Sequence, residues 1–226
     1  MHTIQDPTPI DGTLRKFALR VPECIQECSG ILLFGKRIRS LVFSTDLSII
    51  RNVNADAVIA VYPFTPQPII TQALLMAADI PVFAGVGGGL TSGKRVVHLA
   101  SYAEMQGACG VVVNGPTAND VVRKLRETVD IPVVVTVVRG DEDYAARIEA
   151  GATIFNVSAA AQTPEIVANI RRQFPTMPII ATGGPKEESI RRTIEAGANA
   201  ITWTPPSNGE IFKDIMQAYR ENKPHP

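Results

Sequence analysis

Histidine, cysteine and net charge are all scarce in this chain, and each scarcity removes a class of function. The cysteines are Cys24, Cys28 and Cys109, an odd number with no even disulfide framework. Cys24-x3-Cys28 has no second ligand pair downstream, so it does not read as a zinc site; both thiols read as packing residues of an N-terminal helix. The histidines are His2, His98 and His225. Two stand at the termini and the third falls on the outside of a predicted helix, which leaves no Ser/His/Asp triad and no histidine metal cluster. Twenty-two basic residues balance 22 acidic ones for a formal net charge of zero, which argues against a nucleic-acid surface, since phosphate backbones need a basic patch. There is no 18-residue apolar run and no signal-peptide pattern, so neither a membrane span nor export is expected and the cytoplasm is the expected location.

What is present is a recurring unit. The stretch from Met177 to Gly209 reads as strand, glycine turn, helix, strand and polar turn. Pro178 opens the apolar run Ile179–Ala181, Gly183-Gly184 turn the chain, and Pro185 with Glu187 and Glu188 suits the first turn of a helix. Ile190 and Ile194 share one face of that helix and Gly197 ends it before the strand from Ala200 to Thr204. The join Gly-Ala before a strand occurs three times, at Gly107-Ala108, Gly151-Ala152 and Gly197-Ala198. Between the joins lie further strand starts, IPVFAGVG at Ile80, IPVVVTVV at Ile131 and MPIIATGG at Met177. Regular alternation of strands and helices points to a parallel sheet.

Taken in order, residues 1–12 are an irregular lead-in and Thr13–Glu27 a helix kinked near Pro22. ILLFG at 31–35 forms either a hairpin with the next segment or a plug at a barrel floor, and competes for the place of the first strand. Barrel strands are expected at 41–44, 56–63, 82–85, 110–114, 133–138, 153–157, 179–182 and 200–204. Helices are expected at 47–53, 67–78, 94–106, 118–128, 142–150, 164–173 and 210–219, besides the one after Pro185. The chain's 226 residues, 45% hydrophobic, suit one α/β domain, a (β/α)8 TIM barrel over 31–226, with an N-terminal helical extension over 1–30.

In such a barrel the functional end is the C-terminal end of the strands. There stand Ser44, Thr45 and Asp46; Tyr62 and Pro63; Gly87, Gly88 and Gly89; Asn114; Thr136 and Arg139; Asn156 and Ser158; Thr182, Gly183 and Gly184; and Thr202, Thr204, Ser207 and Asn208. The ring is polar but mostly uncharged, suited to a phosphorylated or polyhydroxylated small molecule. The pattern PIIATGG, a helix ending EAGA and a following strand resembles the last third of the phosphate-binding TIM barrels. That group includes thiamin-phosphate synthase and the sugar-phosphate epimerases and aldolases. The resemblance covers about the last 30 residues by motif and the rest by architecture. It implies that Gly183 and Gly184, and Ser207, Asn208 and Gly209 at a helix start, hold a phosphate. The pattern departs at Pro205-Pro206, which removes two N–H donors. Gly183-Gly184 also suits a tight turn and nothing more.

The stretch GVGGGLTSGK from Gly85 imitates a nucleotide-binding loop, but Arg95 stands where that motif needs Ser or Thr for magnesium. It reads instead as a flexible loop over the mouth. No lysine sits at a predicted strand end, which disfavours Schiff-base chemistry. Asp46 is the candidate general base, with a helix N-cap as its other reading. Arg139 is a candidate for a carboxylate or phosphate, or a partner of Asp141 and Glu142. Asn114 and Asn156 complete the candidate catalytic set; Thr136, Thr182 and Thr204 join the glycines as ligand contacts. Glu104 reads as a solvated face residue, and Trp203 as core. No metal is expected. Three functions stay open: a lyase or isomerase on a phosphorylated metabolite, an FMN-dependent oxidoreductase, and a non-catalytic metabolite sensor. The expected partner is a small phosphorylated ligand, with no nucleic acid and no membrane; self-association into a homo-oligomer is undecided.

Overall fold

The computed structural model describes residues 8, 10, 12 and 19–224. Eight parallel strands close into a barrel: β3 (Ser40–Phe43), β4 (Ala57–Ala60), β5 (Val82–Gly87), β6 (Gly110–Val113), β7 (Val133–Val137), β8 (Ile154–Val157), β9 (Ile179–Thr182) and β10 (Ala200–Trp203), with β10 pairing back onto β3. The helices α1 (Leu47–Arg51), α2 (Pro68–Ala77), α3 (Lys94–Met105), α4 (Asn119–Thr128), α5 (Tyr144–Glu149), α6 (Thr163–Gln173), α7 (Glu187–Glu195) and α8 (Asn208–Arg220) follow the strands in turn. The expected α/β barrel is the observed one. Among the described residues no helix is long and apolar enough to cross a membrane.

Alternation along each strand builds two apolar layers. Leu41, Ile59, Phe83, Val112, Val134 and Ile180 point into the barrel and pack together. Their neighbours, such as Val42, Val58, Val111, Val133 and Ile179, face the helices. Trp203, partly buried, packs against this outer layer.

The three Gly-Ala joins are three copies of one helix ending. Gly107, Gly151 and Gly197 have φ of 96°, 112° and 109°, the left-handed region that only glycine enters without strain. Each following alanine N–H reaches five residues back, Ala108 to Ala103, Ala152 to Arg147 and Ala198 to Thr193, at 3.0, 3.0 and 3.3 Å. This is the Schellman arrangement, which satisfies carbonyls the helix leaves open and aims the chain into the next strand.

Both readings of ILLFG hold together. β1 (Ile31–Leu33) and β2 (Lys36–Ile38) form an antiparallel hairpin, with positive φ at Phe34 and Gly35 at its two-residue turn. Leu33 and Ile38 from this hairpin pack on the inner layer, so it plugs the barrel floor while β3 starts at Ser40. The kinked helix expected over Thr13–Glu27 is corrected: residues 13–18 lie outside the described residues, and the rest holds only a 3-10 turn at Glu23–Glu27, entered through an extended Pro22. Cys24 and Cys28 are both buried there, and burial pushes the Cys28 thiol up to about 12. Glu104 is not a free surface charge: its Oε1 accepts from the N–H groups of Asp130 and Ile131, at 2.6 and 3.1 Å.

Candidate functional site

At the C-terminal end of the strands the apolar interior gives way to a polar ring. Asn114, Thr136, Asn156, Ser158, Thr182 and Thr202 line an inner cavity of about 170 Å³ above Ile59. The alternation that buries Val134, Ile154, Ile180 and Ala200 inside the barrel carries Thr136, Asn156, Thr182 and Thr202, two residues on, to the same side. Phe43, Val61 and Asn114 also line a wider chamber of about 590 Å³, closed on its far side by Thr204–Asn208. A third recess of about 140 Å³ lies between the loop after β4 and Gly87-Gly88.

Two atoms on residues that line the inner cavity are distinctive. Asn156 and Thr202 are 8% and 5% exposed, and Asn156 Oδ1 and Thr202 Oγ1 have no protein hydrogen-bond partner. Buried polar atoms are satisfied in the great majority of cases, and an unsatisfied one destabilises the fold by about 1–3 kcal/mol. Asn156 Nδ2 gives one of its two protons to Thr136 Oγ1 at 3.3 Å, and the Thr182 hydroxyl donates to the Val157 carbonyl at 3.4 Å. None of the residues lining this cavity is ionisable.

The wider chamber holds Asp46. Its Oδ1 accepts from the Ser48 N–H at 2.8 Å, the Ile49 N–H at 3.2 Å and the Ser48 hydroxyl at 2.7 Å, while its Oδ2 accepts from Asn208 Nδ2 at 2.5 Å. These donors, the Ser48 hydroxyl first, hold the Asp46 carboxyl below the usual aspartate range. A carboxylate so engaged is a helix cap and a strap between α1 and α8, and a weak proton acceptor. Of the two readings of Asp46, the structure shows the contacts of the N-cap, and the side chain also lines the wider chamber.

The glycine-rich segment is tight at its base and open at its tip. β5 carries a bulge between Gly85 and Gly87, and a Cβ on Gly88 would lie 2.4 Å from Thr117 Oγ1 and 2.8 Å from the Asn114 N. Asn114 Nδ2 donates to the Gly88 carbonyl at 3.1 Å, which ties this loop to β6. A Cβ on Gly89 or Gly93 would meet nothing within 4 Å, and Leu90 between them is fully exposed.

The loops after β9 and β10 differ from each other. Gly183 is buried, and a Cβ there would strike Ile190 at 2.7 Å and Ile201 at 2.9 Å, so this glycine lets α7 seat on the sheet. Gly184 is exposed with φ of 76°, and α7 begins after Lys186 with no side-chain cap. Lys186 makes no ion pair among the described residues. At the second loop, Ser207 and Glu210 form a capping box. The Glu210 carboxylate takes both the Ser207 N–H and the Ser207 hydroxyl at 2.7 Å. Asn208 is held by Asp46 and Ser48. At the expected phosphate position of Ser207, Asn208 and Gly209 the helix start already carries a carboxylate, and Pro205 and Pro206 offer no N–H.

Of the remaining expected residues, Asn114, Thr136, Asn156, Thr182, Gly87, Gly88 and Thr204 lie on these connected spaces. Gly89, Gly183, Gly184 and Gly209 do not line them. Arg139 sits two residues beyond β7, exposed and outside these spaces, with its Nε 3.3 Å from Asp141 Oδ1, the partner that its other reading named. Phe43 was missed, although the alternation Leu41-x-Phe43 already put it on the inner side. Tyr62 lines the chamber, its hydroxyl accepting from the Gln67 N–H at 2.8 Å. Among the described residues no three of His, Cys, Asp or Glu are grouped to hold a metal ion.

No protein-family model matches the chain. The thiamine-phosphate synthase of Geobacillus thermodenitrificans (strain NG80-2) is 32% identical over 91 residues, 35% of this chain and 41% of that protein, so the match spans less than half of that relative. Solved structures share the whole architecture. Phosphonopyruvate hydrolase in complex with oxalate and Mg++ superposes with a TM-score of 0.64 at 12% identity, over 85% of this chain and 86% of its own. The phosphoenolpyruvate phosphomutase of Streptomyces platensis subsp. rosaceus gives 0.63 at 14% identity, over 85% and 86%. The thiamine phosphate pyrophosphorylase of Pyrococcus furiosus gives 0.56 at 16%, over 73% and 84%. At these identities the likeness is one of fold, and by fold this chain is an α/β TIM barrel with a hairpin-plugged floor and a polar mouth.

Proposed function

We propose that the mouth of this barrel is the active site of an enzyme acting on a small phosphorylated metabolite, with lyase or isomerase chemistry. The observation that carries the reading is the pair of buried, unpartnered oxygens, Asn156 Oδ1 and Thr202 Oγ1, on residues that line the inner cavity together with Thr182. The turn at Gly183-Gly184 directly follows Thr182, which lines that cavity. There the exposed backbone of Gly184, the uncapped start of α7 and the Lys186 ammonium suit a phosphate. The names of the proteins that share the fold support the class: a phosphomutase, a hydrolase of a phosphonate, and a thiamine phosphate pyrophosphorylase. The second reading, a barrel that binds without turnover, draws on the inner cavity's lack of any ionisable side chain.

The test is binding of inorganic phosphate and glycerol 3-phosphate to the full chain by calorimetry, beside glycerol as the unphosphorylated control. Both phosphates bind, glycerol does not, and Lys186→Ala weakens the phosphates about tenfold, the loss of one charge-assisted contact. Indifference of phosphate binding to Lys186→Ala would remove the phosphate from this turn. Binding of phosphorylated metabolites with no conversion of any favours the second reading.

A further inference from the structure

We infer that the substrate carries a hydrocarbon group that fills the wider chamber, which makes it a phosphate ester of an apolar alcohol and not a sugar phosphate. The inference deepens the reading of the mouth as the site of a phosphorylated metabolite and rests on it. It starts from the composition of the chamber wall. Phe43, Ile49, Val61, Pro63, Pro205 and Pro206 line it. None of these has a side-chain donor or acceptor, and the prolines have no backbone N–H either. Phe43 ends β3 and lines both the chamber and the inner cavity, yet it is 41% exposed. At about 590 Å³ the chamber has the size of a small-molecule site, and such sites are mostly apolar. Hydroxyl groups pressed on this wall lose water without gaining a side-chain partner, whereas each methylene buried there is favourable.

Charge disfavours the phosphate itself in this chamber. Among the described residues Asp46 is the charged member of the lining, with no lysine, arginine or histidine to offset it. Its donors from Ser48, Ile49 and Asn208 hold the carboxyl ionised, so a phosphate here would meet a like charge. The turn at Gly183-Gly184 follows β9, and Pro205-Pro206 follow β10, the strand paired with β9. Phosphate and hydrocarbon thus have separate places on neighbouring strands. Pro205-Pro206, which removes donors where a phosphate was expected, here supplies part of the apolar wall. The wall also runs on past the chamber. Val61, Tyr62 and Pro63 continue it into the recess beside Gly87-Gly88, where Phe64 and Leu90 stand exposed. Large apolar side chains left open together around a concave site mark surface that a ligand covers.

Hexyl phosphate and glucose 6-phosphate are a matched pair, each with six carbons and one phosphate, without and with hydroxyls. Calorimetry on the full chain measures both, beside methyl phosphate. Hexyl phosphate binds roughly tenfold or more tightly than glucose 6-phosphate. It binds roughly thirtyfold more tightly than methyl phosphate, about twofold for each added methylene against the roughly fourfold that full burial gives. Phe43→Ala and the nearly isosteric Val61→Thr each cut the hexyl-to-methyl ratio about threefold or more, the first by removing wall and the second by making it polar. A ratio near one overturns the inference. So does glucose 6-phosphate that binds as tightly as hexyl phosphate, and so does a ratio untouched by both variants. Lys186→Ala separates this inference from the reading beneath it. A flat ratio in a chain whose methyl phosphate binding still depends on Lys186 sinks the hydrocarbon site alone. A steep ratio in a chain indifferent to Lys186→Ala sinks only the phosphate at that turn. A chain that binds no phosphate ester overturns both.

Discussion

Asp46 shows how one side chain can fit two readings until its neighbours are known. An aspartate just past a strand end suits a proton acceptor and a helix cap equally well, and only the positions of Ser48, Ile49 and Asn208 decide for the cap. Removing it in Asp46→Ala should destabilise the protein by about 1 kcal/mol in urea, with Asp46→Asn losing less. The pH dependence has a definite sign. Because the donors depress the carboxyl in the folded chain, the unfolded chain takes up a proton first as pH falls. The contribution is complete above the ordinary aspartate range and is lost as pH drops through the depressed folded value. The gap between wild type and Asp46→Ala should therefore shrink only in strong acid. A gap that stays constant through that range would refute the cap. Arg139 is the opposite case: its type and place in sequence suited a ligand contact, but side-chain direction just past a strand end is not readable from sequence.

At the scale of the element, the Schellman endings were legible because a repeated Gly-Ala carries its own backbone requirement. The start of α8 was legible as a helix but not as a closed cap, since the role of Glu210 depends on its reach back to Ser207. α8 buries no residue fully, so its cap matters locally. Ser207→Ala should cost this helix about 1 kcal/mol, read as faster amide exchange across Asn208–Arg220. The global melting temperature should move by less than the roughly 2–4 °C that the same loss would cause if shared by the whole domain. A larger fall would make α8 part of the cooperative core.

The whole barrel is closed by the pairing of β10 with β3 and sealed below by the hairpin. Ile38, 1% exposed, fills the floor, whereas Leu32 on the same hairpin is 73% exposed. Ile38→Ala should destabilise the fold by about 2–5 kcal/mol through a cavity that the closed barrel cannot collapse into, and Leu32→Ala by no more than about 0.5 kcal/mol. Comparable costs at the two positions, measured by urea unfolding, would show that the hairpin is not a plug.

Sequence alone determined the alternation of strand and helix, the parallel barrel, and the polar, mostly uncharged character of the ring at the C-terminal end of its strands. Those properties are written in short-range periodicity and in glycine's freedom at a few turns, which neighbours along the chain decide. The tertiary structure decided which side chains are already spoken for. Asp46 meets Asn208 across 162 positions, and Asn156 meets Thr136 on the next strand. Which oxygens remain unpaired at the centre follows from strand register around a closed ring, and no local pattern carries that information.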